Sequence, residues 1–297
     1  MNFAAITLED KNTIEKYTVY SDSKCCYLNF LNLICWQDLF KTQFAIKHDF
    51  LFMRYRSQDA YVYIMPMGRG KTTEAFDILL DFLHTQAEPF KIQSLSPHDT
   101  EVINDIFHNQ IVWDSNRDSS EYIYLRRDLA TLAGKRLQPK RNHINQFLRA
   151  YPDYEYLPLT KELTPQCITL YELWRENTAN RVDMLSRQTE HSAILLAFAN
   201  YDTFNLSGGV LKVNDKIVAF TYGSAINNNT FDICVEKADT AYIGAYTMIN
   251  REFIRTLPEN FEYINREEDL GLLGLRQAKM SYSPACLLEK YIGTPKF

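Results

Sequence analysis

Gly209-Val210-Leu211-Lys212-Val213, a turn at Asn214-Asp215-Lys216, then Ile217-Val218-Ala219-Phe220-Thr221-Tyr222-Gly223 opens the stretch that decides the fold, Gly208 to Phe297. Turn residues between two β-branched and aromatic runs predict a hairpin. Thr230-Phe231-Asp232-Ile233-Cys234-Val235-Glu236 alternates apolar and polar side chains and predicts a third strand. The period then changes. Tyr242, Tyr246, Ile249, Phe253 and Leu257 recur at helical spacing, and Pro258 ends the run. At 3.6 residues per turn this predicts a helix of about four turns. Phe261 to Asn265 reads as a further short strand, emptying into the polar turn Arg266-Glu267-Glu268-Asp269-Leu270-Gly271.

The first half repeats this order more faintly. Phe50–Arg56 and Tyr61–Met65 predict a hairpin, and Phe76, Leu79, Leu80 and Leu83 mark a helix over 72–86. A strand at Phe90–Leu95 follows, then a helix carrying Val102, Ile103 and Phe107 with Asp99 as its N-cap. Glu121–Tyr124 reads as a strand, and Arg126–Leu132 and Asn142–Ala150 as helices. Tyr151-Pro152-Asp153 breaks the last of these, so a domain boundary is expected there, giving lobes 1–150 and 151–297. The second lobe opens with a strand at Tyr154–Leu159 and helices near Pro165–Asn177 and Met184–Asn200, the first capped by Thr164.

Composition sets bounds. A chain of 297 residues, 46% hydrophobic and 13% aromatic, has ample material for buried cores. Its net charge of −5 argues against a uniformly basic nucleic-acid-binding surface. No apolar run approaches a membrane span; Ala193–Ala199 is the best and is far too short. The first residues lack the basic and apolar regions of a signal peptide, so a cytoplasmic protein is expected. Six cysteines without a Cys-x-x-Cys pair predict reduced, mostly buried thiols, with Cys234 on an apolar strand face, no disulfide partner and no metal site. Gly68-Arg69-Gly70-Lys71-Thr72 suggests a phosphate loop, but the glycine that motif needs is replaced by Met65.

Residues 263–284, Tyr-Ile-Asn-Arg-Glu-Glu-Asp-Leu-Gly-Leu-Leu-Gly-Leu-Arg-Gln-Ala-Lys-Met-Ser-Tyr-Ser-Pro, with Leu287-Leu288-Glu289-Lys290-Tyr291 after them, resemble the bacterial phosphatidylglycerol lysyltransferase C-terminal domain family. Lys140-Arg141-Asn142-His143-Ile144-Asn145-Gln146-Phe147 is similar to the same group. The resemblance implies an α/β (α+β) fold of two tandem GNAT-like acyltransferase lobes, each a twisted mixed sheet flanked by helices. It also implies transfer of an acyl or aminoacyl group. Coenzyme A-dependent GNAT enzymes usually show Gln/Arg-x-x-Gly-x-Gly/Ala before the long helix, where backbone amides hold pyrophosphate. Lys237–Ala245 has one glycine and an acid, Asp239, at that place. The departure favours aminoacyl-tRNA over a coenzyme A thioester as donor, with no tightly bound cofactor. An amine, hydroxyl or lipid headgroup is the expected acceptor. An acyl-CoA-dependent N-acetyltransferase of small amines and a non-catalytic binding protein are the rivals.

Such a transfer needs a base for the acceptor, donors for the oxyanion and an acid for the leaving group. Glu236, and more weakly Asp232, stand at the end of the third strand as the base; each is otherwise an outward strand residue. By resemblance Tyr282 is the acid, with packing as its alternative. Directly after the strand that ends at Asn265, the successive acids Glu267, Glu268 and Asp269 are expected to hold a substrate ammonium, with Asn265 as a further substrate contact, Asp269 also as a catalytic candidate, and Arg276 and Lys279 facing a carboxylate or phosphate. Acids followed by bases would equally suit a helix dipole. Arg126–Arg149 gathers seven basic residues against one acid, and Lys140, Arg141 and Asn142 are the expected polyanion contacts, tRNA being the partner. A solvated helix pair is the alternative.

Overall fold

The structure is a computed structural model describing residues 1–57, 60–86, 89–177 and 184–296, without the side chains of 184–187. In chain order the elements begin with β1 (Ala4–Ala5), α1 (Lys11–Thr18), α2 (Phe30–Cys35), α3 (Gln37–Phe40), β2 (Gln43–Lys47) and β3 (Phe50–Ser57). There follow β4 (Ala60–Ile64), β5 (Met67–Gly68), α4 (Thr72–Leu83), β6 (Phe90–Ser94), α5 (Pro97–Ile106), β7 (Ile111–Ser115) and β8 (Glu121–Leu125). Next come α6 (Arg126–Thr131), α7 (Gln138–Ala150), β9 (Glu155–Pro158), α8 (Thr164–Asn177), α9 (Met184–Ala199), β10 (Ser207–Val213) and β11 (Lys216–Ala225). The chain closes with β12 (Thr230–Ala238), α10 (Ala245–Thr256), β13 (Tyr263–Asn265), α11 (Leu273–Met280), β14 (Cys286–Leu288) and β15 (Tyr291–Pro295).

These elements form two compact units. Unit 1 comprises Met1–Glu121, Glu268–Leu272 and Leu287–Phe297; unit 2 comprises Tyr122–Glu267 and Leu273–Cys286. The sheet of unit 1 runs β1-β2-β3-β4-β6-β15-β7, with β5 also pairing β3. That of unit 2 runs β14-β8-β13-β12-β11-β10-β9. In each, a meander leads through a helix to a parallel neighbour: β4–α4–β6 in one, β12–α10–β13 in the other. The fold is therefore mixed α/β with two mixed sheets flanked by helices, and the same order of elements recurs in both.

The compact units divide differently from the expected boundary at 150/151. The strand beside β6 is β15, from the end of the chain, and the strand beside β13 is β8, from its first half. Each sheet thus takes an inner strand from the opposite half of the sequence. Such non-local pairings leave no local trace that a break at Pro152 could reveal.

Packing follows composition. In unit 1, Phe50, Phe52, Phe76, Leu79, Ile92, Ile103 and Phe107 form a buried core between the sheet and its helices. In unit 2, Val210, Phe220, Met248, Ile249, Phe253 and Ile264 are buried, and Phe231 meets Phe253 edge-on at 5.7 Å. The hairpin closes through Asn214 and Asp215, both left-handed (φ 51 and 60), with Val213 opposite Lys216. Asn and Asp tolerate that region better than most residues. Two caps differ from expectation. Ser96, not Asp99, caps α5: its Oγ accepts from Asp99 N–H at 3.1 Å, while the Asp99 carboxylate accepts from Leu95 N–H at 2.9 Å. And α10 begins at Ala245 rather than Tyr242, because Gly244 (φ 81) turns the chain beside the His143 carbonyl, where a Cβ would lie at 2.3 Å.

One irregularity sets up the site. Tyr222 pairs Val235 but Gly223 pairs Ile233, so Cys234 is an extra residue opposite nothing. A bulge of this kind reverses the alternation of side chains along the strand. Phe231 and Glu236 consequently both face α10, although they are five apart. Gly223 is required at this point, since a Cβ there would lie 1.7 Å from the Asp232 carbonyl oxygen. Cys234 accordingly does not sit on an apolar face; its thiol donates to the Asp232 carboxylate at 3.5 Å.

Candidate active site

The parallel strands β12 and β13 pair only through Thr230–Asp232 and Tyr263–Asn265. Beyond that, β12 continues to Ala238 while β13 ends at Asn265. Arg266, the first residue past β13, reaches β12: its Nη2 donates to Glu236 Oε1 at 2.9 Å. The other oxygen of Glu236 accepts from Asn250 Nδ2 on α10 at 2.7 Å. Both side chains of the ion pair are about nine-tenths buried, at 11% and 10% exposure.

Tyr282 completes the cluster. Its ring lies 4.6 Å from the Arg266 guanidinium, and its hydroxyl donates to Thr247 Oγ1 at 3.3 Å, one turn before Asn250 on α10. Lys140, from the first turn of α7, places its Nζ 3.8 Å above that ring. Tyr124 of β8 stands edge-on to Tyr282, and its hydroxyl donates to the Lys279 carbonyl at 2.8 Å. Burial raises the Tyr282 phenol above its ordinary pKa, against the pull of Arg266, so it holds its proton at neutral pH. Burial also disfavours charge on Arg266, but Glu236 and the two tyrosines outweigh it and keep the guanidinium protonated. The Lys140 ammonium is destabilised, by burial first and then by Arg266, and titrates at about 8 with Glu236 opposing the shift.

That depression carries a pH signature. A lysine whose folded pKa is lowered binds fewer protons when folded, so its unfavourable contribution is fully present below about 8 and is relieved as pH rises toward the ordinary lysine value. Lys140→Met is therefore expected to stabilise the protein at pH 7 and to lose that advantage by pH 10, as read from urea midpoints at the two pH values. A midpoint difference that does not change with pH removes the charge from this explanation.

The structure thus brings Tyr282, Glu236 and Lys140 together and supplies Arg266, Asn250 and Thr247, which sequence reasoning did not single out. Only the bulge at Cys234 could have revealed Asn250, because without it Glu236 points away from α10. The other expected site residues have different tasks. Asp269 belongs to unit 1, fully buried, accepting from Arg117 at 3.3 Å and from Gly271 N–H at 2.9 Å. Glu268, also in unit 1, does hold an ammonium, but it is that of Lys290, and it accepts from the Tyr27 hydroxyl at 2.9 Å. Asn265 is buried and accepts from Glu267 N–H at 2.7 Å, stabilising a turn in which Glu267 is left-handed (φ 55). Lys279 is buried and donates to the Arg266 carbonyl at 2.5 Å, fixing the backbone that carries Arg266. Arg276 lies half-buried on α11.

The basic segment is also divided. Arg141 caps the end of α6, donating to the carbonyls of Leu132 and Gly134, and Arg126 donates to the Leu257 carbonyl at 2.7 Å. Asn142 is exposed and accepts from Gln138 at 3.0 Å. Arg127, Lys135, Arg136 and Arg149 are the exposed cations of this segment. On the other face of β12, Lys237 stacks 3.6 Å from the Trp174 ring and pairs with Glu190 at 2.8 Å. Asp232, Cys234 and Glu267 bring two carboxylate oxygens and a thiol within 4.8 Å of one another, a grouping able to ligate a metal that sequence spacing did not show.

The sequence profile of the family described as "Phosphatidylglycerol lysyltransferase, C-terminal" matches residues 21–293. The chain belongs to this family. A conserved protein of Bacteroides thetaiotaomicron with a solved structure is 42% identical, the alignment covering 100% of both chains at a TM-score of 0.93. L-PGS from Bacillus licheniformis is similar at 15% identity over 97% of this chain and 92% of that one, with a TM-score of 0.66. The C-terminal domain of a putative lysylphosphatidylglycerol synthetase from Agrobacterium fabrum is 11% identical over 96% and 91%, with a TM-score of 0.65. At those identities the last two share the fold. Among the described residues of this member of the lysyltransferase C-terminal family, no helix is long and apolar enough to cross a bilayer.

Proposed function

We propose that this chain is an aminoacyltransferase that moves an aminoacyl group from aminoacyl-tRNA to an amine or hydroxyl acceptor at the unit 2 site. The observation that carries this reading is the cluster of Tyr282, Arg266, Glu236 and Asn250, with half-buried Lys140 over it, where the pairing of β12 with β13 ends. Membership in a family named for lysyl transfer to phosphatidylglycerol supports the donor class and makes a lipid headgroup one acceptor to test. In the reaction, the acceptor nitrogen or oxygen attacks the ester carbonyl carbon and forms the new acyl bond. The ester bond to the ribose oxygen breaks, and that oxygen leaves with a proton.

Tyr282 supplies that proton, since burial keeps its hydroxyl protonated at neutral pH. Lys140 in its neutral form takes the acceptor's proton, which its pKa of about 8 permits. Glu236 is not the base here. Both its oxygens already accept hydrogen bonds, one from Arg266 and one from Asn250. The exposed cations Arg127, Lys135, Arg136 and Arg149 form the tRNA-facing surface.

The test is to incubate the protein with tRNA charged with labelled amino acids, together with phosphatidylglycerol vesicles or small amines, and to follow the label. Movement of label from tRNA to either acceptor supports the reading. Label that stays on tRNA while acetyl-CoA is consumed with the same amines assigns the site to the coenzyme A chemistry instead.

A further inference from the structure

Asn250 and Arg266 each keep one buried polar atom without a hydrogen-bond partner among the described residues, Oδ1 of the first and Nη1 of the second. Leaving such a bond unmade is costly, and native structures carry few of them. Two such atoms here flank a single carboxylate.

Glu236 fixes what they offer. A carboxylate only accepts, so Asn250 must turn its NH₂ toward Glu236 Oε2 at 2.7 Å and its carbonyl oxygen away. The second oxygen takes Arg266 Nη2 at 2.9 Å and leaves Nη1 over. One carboxylate therefore orients one acceptor and one cationic donor together.

We propose that this pair binds the head of the aminoacyl group, Asn250 Oδ1 accepting from its α-amino group and Arg266 Nη1 donating to its ester carbonyl oxygen. The inference rests on the aminoacyl-transfer reading above and names the residues that read the donor. An α-amino ester carries its donor and its acceptor on adjacent carbons, as the pair requires. A plain acyl group lacks the donor and leaves Oδ1 buried and unsatisfied, and sites built to hold an N–H or O–H reject such analogues strongly. On the carbonyl side, Arg266 also faces the oxygen that gains negative charge as the tetrahedral intermediate forms. Glu236 is the positioning residue for both. The half-buried Lys140, lying over the Tyr282 ring, is the flexible cover that must shift to admit the ligand.

The probes are alanine methyl ester and methyl propionate, identical but for the amino group, titrated into the full chain by ligand-observed NMR. Wild type is expected to bind the amino ester roughly 10- to 100-fold more tightly. In Glu236→Gln, the amide oxygen stays with Arg266 and its NH₂ faces Asn250, so the Asn250 amide flips and presents a donor where it had an acceptor. The preference for the amino ester then disappears. Asn250→Ala reaches the same loss by removing the acceptor, which keeps the test decisive where Glu236→Gln does not fold.

Equal binding of the two probes by wild type overturns the inference, and so does a preference that survives both substitutions. The amino-ester preference, lost in both variants but found in a protein that leaves aminoacyl-tRNA untouched, upholds the subsite and overturns the transfer reading. Transfer from aminoacyl-tRNA without any such preference does the reverse.

Discussion

Lys290→Met is expected to lower the unfolding free energy by about 3–5 kcal/mol, the usual cost of removing one partner from a buried ion pair. Lys290 is 3% exposed and donates to Glu121 Oε1 at 2.8 Å and to Glu268, all within unit 1. Glu121 is fully buried; its oxygens also accept from the Cys25 thiol at 3.1 Å and from Cys26 N–H at 2.9 Å. Its charge stays in place when the ammonium goes, and methionine fills the volume without supplying a donor. Burial alone would lower the Lys290 pKa, but Glu121, Tyr27, Cys25 and Glu268 raise it well above the ordinary value. A raised lysine pKa means that its stabilising contribution is complete below the unfolded value and is lost only as pH climbs through the folded one. Urea unfolding at pH 7 measures the effect. A loss under about 1 kcal/mol shows that Glu121 takes up a proton or finds water instead.

Tyr282→Phe is expected to cut turnover roughly 10²- to 10⁴-fold, the range for losing a positioned general acid. The ring keeps its place beneath Lys140 and beside Arg266, and only the hydroxyl that donates to Thr247 is removed. Stability should change by about 1 kcal/mol at most. Affinity for aminoacyl-tRNA should hold, since binding and turnover separate when the missing group acts in the transition state. Single-turnover rates with labelled aminoacyl-tRNA distinguish the two, and a wild-type rate in this variant takes the phenol out of the mechanism.

How much of this was legible beforehand depended on range. The hairpin at 207–225 and the helix after Gly244 came through because alternation and helical spacing are local, and turn chemistry at Asn214-Asp215 is local too. Tyr282 and Glu236 are legible as candidates, but the contacts of Glu236 are not, because nothing in Thr230–Glu236 shows that Cys234 is an extra residue set by the register with β11. The run Glu267-Glu268-Asp269 read as one acidic turn. In space Glu267 belongs to unit 2 while Glu268 and Asp269 belong to unit 1, so its charges serve different neighbours. Arg266 stood in plain view beside them, but its partner is thirty positions away. Lys290, between Glu289 and Tyr291, shows its burial only through Glu121, which lies 169 positions away.

The strand exchange has a practical meaning for anyone who divides this molecule. A fragment stopping at Ala150 lacks β15, leaving β6 and β7 with no strand between them; a fragment starting at Tyr151 lacks β8, and β13 becomes an open edge. Exposed edges of that kind invite pairing with other chains. Neither half is a portable module, then, and the gene cannot be cut once and spliced elsewhere with a working fold at both ends. Unit 2 depends on a strand translated well before most of it, whereas the sheet of unit 1 closes only after the last residues of β15 emerge. The sheet of unit 1 therefore cannot be complete before unit 2 has been translated.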